Sequence, residues 1–384
     1  MVNFDISDLR RMTKILAPTA DFDSSFTFYH DETNNIRKFS VKEFDFNVSF
    51  NSKDFHSNFV LGGLVYEGSQ PDIKPLFDRL NLQKNIKDVK FQHIVQGKKE
   101  FLDCLKSEKL NVFLKYLLSD NDLYIHYSSL NILYWSIVDI VDSAIMNSEV
   151  AMQLGSDYHK FLKNDLYKLA KLEIESFQEL FYNFNYPNIK KESVSEFIEE
   201  LTSIFDEYID TAEFHLGLES LRQILKEANK KDSLPFIIDE EDRVLIKDFL
   251  EFYLRPIYLF NNSNHIFDNE ATISEMLVNY KVIDEGKEIK NYSFVDSQGD
   301  LFVQASDIFV GLMGKFTNYI NTNDINQIVK NFDSLSEKQL NNVDSLIKLI
   351  VKSHNKNIAF LHWIDSYEER EKMNFIHDLI NINY

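Results

Sequence analysis

Acidic side chains that close apolar, strand-like runs are the residues of this chain best suited to chemistry. SFTFYHDETNN (Ser25 to Asn35) runs through Phe26, Phe28 and Tyr29 and stops at Asp31-Glu32 before a polar turn. PFIIDE ends at Asp239-Glu240, and SFVDSQGDLFVQASDIFVGLMG carries Asp296 and Asp307. A carboxylate at the end of a buried strand cannot enter the core, so it stays in water or binds a cation. Gathered by folding, three of them would hold Mg²⁺ or Mn²⁺, which prefer oxygen ligands. Two such metals about 3.5–4 Å apart stabilise the attacking and leaving oxygens of a phosphodiester. The expected ligands are Asp31, Asp239 and Asp307, with water as the nucleophile.

Each residue also fits a plainer role. Asp31 suits a turn cap, and Asp307 suits a solvent-facing helical position. Asp239 precedes Glu240, Glu241 and Asp242, an acidic run that favours the first turn of a helix. Strand alternation turns Glu32 and His30 away from Asp31, leaving Glu32 exposed or supporting and His30 in packing. Asp296 competes with Asp239 for the third carboxylate, although Ser297-Gln298-Gly299 reads as an ordinary turn. Gln304 lies one helical turn before Asp307 and shares its face, where it holds a metal-bound water or pairs with Asp307. Gly311, a turn later, allows a close approach of helix to sheet. In Asp88-Val89-Lys90 a strand would put acid and lysine on one face, either as a surface pair or with Lys90 contacting phosphate or orienting a carboxylate.

The elements that must position these residues follow from pattern. Strands are expected at SFTFYHD, IRKFSVKEF, NFVLGGLVYE and LYIHYSSL, the first three as an antiparallel meander. NFVLGGLVYE is apolar throughout, as a strand covered on both faces should be, and its Gly62-Gly63 implies close approach of another element. From about Tyr134 to Lys231 the pattern is wholly helical, too long for an ordinary crossover. Strand character returns in LPFIIDE and KNYSFVDS, with a helix expected up to Arg255, before Pro256, and another at FVQASDIFVGLMG. The tail from about Asn321 reads as helix through LHWI. The expected organisation is a first core part (1–133), a helical insertion (134–233), a second core part (234–320) and a helical C-terminal tail (321–384), an α/β fold overall.

Composition narrows the function. Of 384 residues 44% are hydrophobic, ample for a packed core, and 41 basic against 61 acidic residues leave a net charge of −20. That field repels nucleic acid at long range and counts against a dedicated DNA-binding protein. It leaves a nuclease open, because metal sites are themselves acidic. The one cysteine, Cys104, rules out an intramolecular disulfide framework and a multi-cysteine zinc site. No stretch approaches the roughly 18 apolar residues of a membrane span, so a cytoplasmic protein without membrane contact is expected. No HExxH, G-x-S-x-G or P-loop spacing occurs.

Three stretches together resemble a bacterial family known as domain of unknown function 3800. They are YHDETN with its acidic pair, FVLGGLVYEG, and FVDSQGDLFVQASDIFVGLMG with its Gln-x-x-Asp helix; Asp88-Val89-Lys90 is similar to the family's acidic-x-Lys segment. The resemblance spans roughly residues 25–130 and 235–320, and departs at Thr33-Asn34, where Ser-Gly is usual. It implies an RNase H-like mixed sheet flanked by helices, with Asp31 at the first-strand position for a carboxylate. A setting in phage or mobile-element defence is a further implication. The resulting expectation is a Mg²⁺- or Mn²⁺-dependent nuclease with a two-metal mechanism. The alternative is a non-catalytic module with a degenerate site that binds a protein partner, or a second copy of itself, through the helical insertion.

Overall fold

The computed structural model describes residues 2–43, 46–47, 57–83, 85–97, 100–231 and 233–383. Its centre is a six-stranded mixed sheet: β1 (Phe26–Thr33), β2 (Asn58–Glu67), β3 (Leu123–Asn131), β4 (Asn264–Asp268), β5 (Tyr292–Val295) and β6 (Leu361–Ile364). The spatial order is β5-β4-β1-β2-β3-β6. Strands β1, β2 and β3 are antiparallel neighbours. Strand β4 runs parallel to β1, β5 parallel to β4, and β6 parallel to β3.

Helices cover both faces. The longest, α9 (Leu301–Thr322), starts at Asp300, whose carboxylate accepts from the N–H groups of Phe302 and Val303. It is buried on nearly all sides because the sheet lies beneath it and the short helix α1 (Phe91–Val95) lies across it. It shares one apolar core with Val60, Leu64, Ile125 and Tyr127 of the sheet and with α2 (Glu108–Ser119) and α10 (Glu337–Lys356), which pack on each other. Gly63 makes the helix–sheet contact possible: a Cβ there would overlap the Ser306 side chain and the Tyr29 carbonyl. In its absence Ser306 Oγ accepts from Leu64 N–H at 3.2 Å. Gly311 makes room for the ring of Phe91 rather than for the sheet, so the expected helix–sheet approach belongs to Gly63.

The opposite face carries the helical stretch: α3 (Ile132–Met146), α4 (Ser156–Leu172), α5 (Ile174–Asn183), α6 (Val194–Phe205), α7 (His215–Lys230) and α8 (Leu250–Leu259). These helices share one apolar core with Phe59 and Leu61 of β2 and Leu130 of β3, so the insertion is built onto the sheet. No helix among the described residues is long and apolar enough to cross a membrane.

Several expected elements differ. IRKFSVKEF, whose Phe44 lies outside the described residues, contributes only Phe39–Ser40, paired with Val244–Ile246 away from the main sheet. The meander's second strand is therefore NFVLGGLVYE. Helix α8 continues through Pro256 to Leu259, where burial of Ile257 and Leu259 offsets the lost backbone bond. LPFII forms turns: Leu234 and Ile237 plug the helical core while Phe236 stays exposed. LHWI, expected as helix, is β6, because β3 offers an open edge for it.

Candidate functional site

Four carboxylates from four separate segments surround one ammonium. Lys90 Nζ lies 3.4 Å from Asp307 Oδ2, 3.6 Å from Asp268 Oδ2, 3.8 Å from Asp88 Oδ2 and 3.9 Å from Asp31 Oδ2. Asp31 is on β1 opposite Gly62, on the face that carries Tyr29, whose ring stacks on Phe302 of α9. Asp268 is the last residue of the neighbouring parallel strand β4. Asp307 enters from α9, and its Oδ1 accepts from Phe91 N–H at 2.6 Å. Asp88 and Lys90 flank a buried Val89 in the loop before α1.

Gln304 organises this loop. Its Oε1 accepts from Val89 N–H at 3.0 Å and its Nε2 donates to the Ser297 carbonyl at 2.7 Å. It therefore spends both amide groups on backbone and does not pair with Asp307, contrary to expectation. The Ser297 hydroxyl lies 3.3 Å from Asp88 Oδ2 and 3.4 Å from Lys90 Nζ, bridging acid and lysine. The Asp-x-Lys stretch is a loop, not a strand, yet both side chains still converge because Val89 is anchored between them.

Burial raises the Asp31 carboxyl well above the usual range, and the nearby Asp307 and Glu32 carboxylates add to it. Asp307 is raised by burial too, against the pull of Lys90 and of the Phe91 N–H. At Lys90 burial opposes the charged form, but Asp307, Asp31, Asp268 and Asp88 outweigh it and hold the ammonium above the ordinary lysine range. Even so, Asp31 Oδ2 and Asp88 Oδ1 are buried without a hydrogen-bond donor. One positive charge among four carboxylates leaves the group short of cation.

The remaining expected residues separate. Asp239 is exposed on a turn at φ 60°. Its stretch is tied to the helical insertion, where Ile189 N–H donates to the Ile237 carbonyl, and it is absent from the Lys90 contacts. Asp296 caps the short helix Ser297–Gly299 through the Gln298 N–H and is exposed. Glu32 lies on the other side of β1, half-buried, and burial pushes its carboxyl up to about 7 against the pull of Tyr253 and Asn35 beside it. Asn34 adopts φ 58° and donates to the Asn58 carbonyl at 2.9 Å.

Asp268, Asp88 and Ser297 are the residues that sequence reasoning missed or undervalued. SNHIFDNE holds only two strongly apolar residues, so its strand signal is weak. The rule that selects Asp31, an acid closing an apolar run, would have selected Asp268 in HIFD. Among the described residues no set of three or more His, Cys, Asp or Glu side chains stands arranged to hold a metal ion. Around Lys90 the reason is plain, since the oxygens are spaced for an ammonium at 3.4–3.9 Å and not for a metal at about 2.0–2.6 Å.

Beneath the site, on the far face of β1, three imidazoles are fully buried. His126 Nε2 donates to the Tyr29 carbonyl at 2.9 Å, and His265 Nε2 lies 3.3 Å from the Phe260 carbonyl. His265 Nδ1 then accepts from His30 Nε2 at 3.3 Å. Burial lowers His126 to about 4 and His265 to about 3, and lowers His30 well below its usual value. These rings stay neutral when folded but protonate near 6.5 when unfolded. Their contribution to stability is full above about pH 6.5 and is lost as pH falls toward 4 and then 3. Imidazole NMR should show flat His126 and His265 signals from pH 8 to 5, and a midpoint near 6.5 for either would refute this. His265→Phe should remove about 1.4 kcal/mol per pH unit of the stability slope in that window.

Comparison with family models, with curated proteins and with solved structures gives no match.

Proposed function

We propose that the chain is a metal-dependent phosphodiesterase acting on nucleic acid, built on an RNase H-like core. The observation that carries the proposal is the convergence of Asp31, Asp268, Asp307 and Asp88 on one cation position. The sheet order supports it: an antiparallel meander extended on its first-strand side by two parallel strands is what an RNase H-like reading requires. The same reading draws on the resemblance to the domain of unknown function 3800 family. A role in phage or mobile-element defence rests on that resemblance alone, and a cytoplasmic setting on the sequence's lack of any apolar stretch of membrane-span length.

The donor type, though not the present spacing around Lys90, suits a hard divalent cation. All four groups are carboxylates, and two buried oxygens, Asp31 Oδ2 and Asp88 Oδ1, lack a donor. Asp31, Asp268 and Asp307 would hold Mg²⁺ or Mn²⁺, with Asp88 beside them. Bound there, the cation supplies charge stabilisation at the attacking and leaving oxygens of a phosphodiester. Lys90, about a quarter exposed at its side chain, would then turn its ammonium to a substrate phosphate. Gln304 and Ser297 hold the loop that carries it.

The test is cleavage of labelled single- and double-stranded DNA and RNA with Mn²⁺ or Mg²⁺ and a chelated control. At least one substrate should be cut in a metal-dependent way, and Asp268→Asn should slow the reaction on the order of 10²-fold or more. One observation favours a second reading, a non-catalytic module binding a partner through its helices: Lys90 already occupies the centre of the carboxylates. Absence of both cleavage and Mn²⁺ binding would leave that reading in place.

A further inference from the structure

A cavity of about 520 Å³ opens between the C-terminal half of α9, helix α10, strand β6 and the last helix, α11 (Tyr367–Asn383). None of the Lys90 cluster lines it. Its surface is mostly apolar, from residues such as Ile320, Ile350 and Met373 with Trp363 on the β6 side, and Arg370 and three histidines also line it. At one end stands Asp365, directly after β6, its Oδ1 accepting from Asn58 Nδ2 at 2.8 Å. Asn58 is itself fixed, donating to Ser129 Oγ at 2.8 Å and accepting from Asn321 Nδ2 at 2.8 Å. A polar network therefore fixes one oxygen of a carboxylate that lines the chamber.

The charges around the chamber are unequal. Glu369 is matched by Lys171 and Lys372, each at 2.9 Å. Asp365 has no ion-pair partner among the described residues. Burial pushes its carboxyl up to about 7 and Glu369 adds to this, while Asn58 and Arg370 pull the other way. A carboxylate held out of water without a counter-ion is costly, and a cation delivered by a ligand would remove that cost. Ligand sites of about 300–1,000 Å³ with mostly apolar walls and a few fixed polar groups are typical for small molecules.

We propose that this cavity binds a small organic amine, its apolar, ring-bearing body against Trp363 and the aliphatic wall and its ammonium on Asp365. An anionic ligand of the same shape would place a second negative charge against Asp365, so the site discriminates by head group. The chain has two tryptophans, so in a Trp135→Phe background Trp363 is the sole indole reporter. Phenethylamine should change its emission saturably, and phenylacetate should bind at least tenfold more weakly. Asp365→Asn, equal in shape and still able to accept from Asn58, should weaken the amine about tenfold and shrink its preference over the acid. No saturable response to phenethylamine up to about 10 mM, or equal affinity for amine and acid, overturns the proposal. Unchanged amine binding in a folded Asp365→Asn protein does so too. Should that variant not fold, the amine-to-acid comparison in the Trp135→Phe protein decides alone.

Discussion

Asp31→Asn should abolish the Mn²⁺ binding read by calorimetry, while Asp239→Asn should bind as wild type does. Asp31 is 95% buried (5% exposed) with one oxygen lacking any donor, and it stands on the strand that is central to the site. Replacing one oxygen by an NH₂ group puts a donor where a cation needs an acceptor. Asp239 sits exposed on a turn tied to the helical insertion, so its charge matters little. A stability signature should accompany the loss. Burial and Asp307 raise the folded Asp31 value, so its contribution is full below the unfolded value near 3.9 and is lost as pH rises through the folded one. Asparagine has no charge to lose, so the metal-free variant should melt at or above wild type at neutral pH. A variant that binds Mn²⁺ normally, or an Asp239→Asn protein that does not, would dismantle the proposed ligand set.

Lys90→Met should have the second large effect, in two opposite directions. Without metal, Asp31, Asp268 and Asp307 lose the one positive charge that, among the described residues, ion-pairs with all three. Removing one partner of a buried ionic group costs about 3–5 kcal/mol, so the metal-free protein should unfold earlier in urea. With Mn²⁺ the deficit should close, and affinity should rise about tenfold or more, because no ammonium has to leave. Lys90 as an orienting group predicts the reverse, weaker metal binding. Lys90 as the permanent cation of a binding module predicts instability that Mn²⁺ does not relieve. Thermal melts with and without Mn²⁺ separate the three.

What was legible in the chain was local. Asp31 and Asp307 close or enter strongly apolar elements, so their strand and helix could be read with their ends. Asp268 was not read because β4 is five residues long with His265 facing inward, and two apolar side chains carry little periodic signal. Asp239 was misread because an apolar run followed by acids looks the same whether it threads a sheet or plugs a helical bundle. Lys90 could be singled out but not placed, since its loop has no strand geometry to aim it and depends on Gln304 from α9.

The amino-acid order by itself determined an α/β chain with a long helical insertion, a double-glycine strand pressed by another element, and acidic strand ends. Each of these is a property of neighbours in sequence, set by side-chain period and turn chemistry. Tertiary structure decided which acids meet, and that an ammonium stands among them. The reason is physical: Asp31, Asp88, Asp268 and Asp307 become neighbours only when β1 pairs with β4 and α9 crosses them both. That packing is driven by apolar burial, to which the carboxylates contribute nothing.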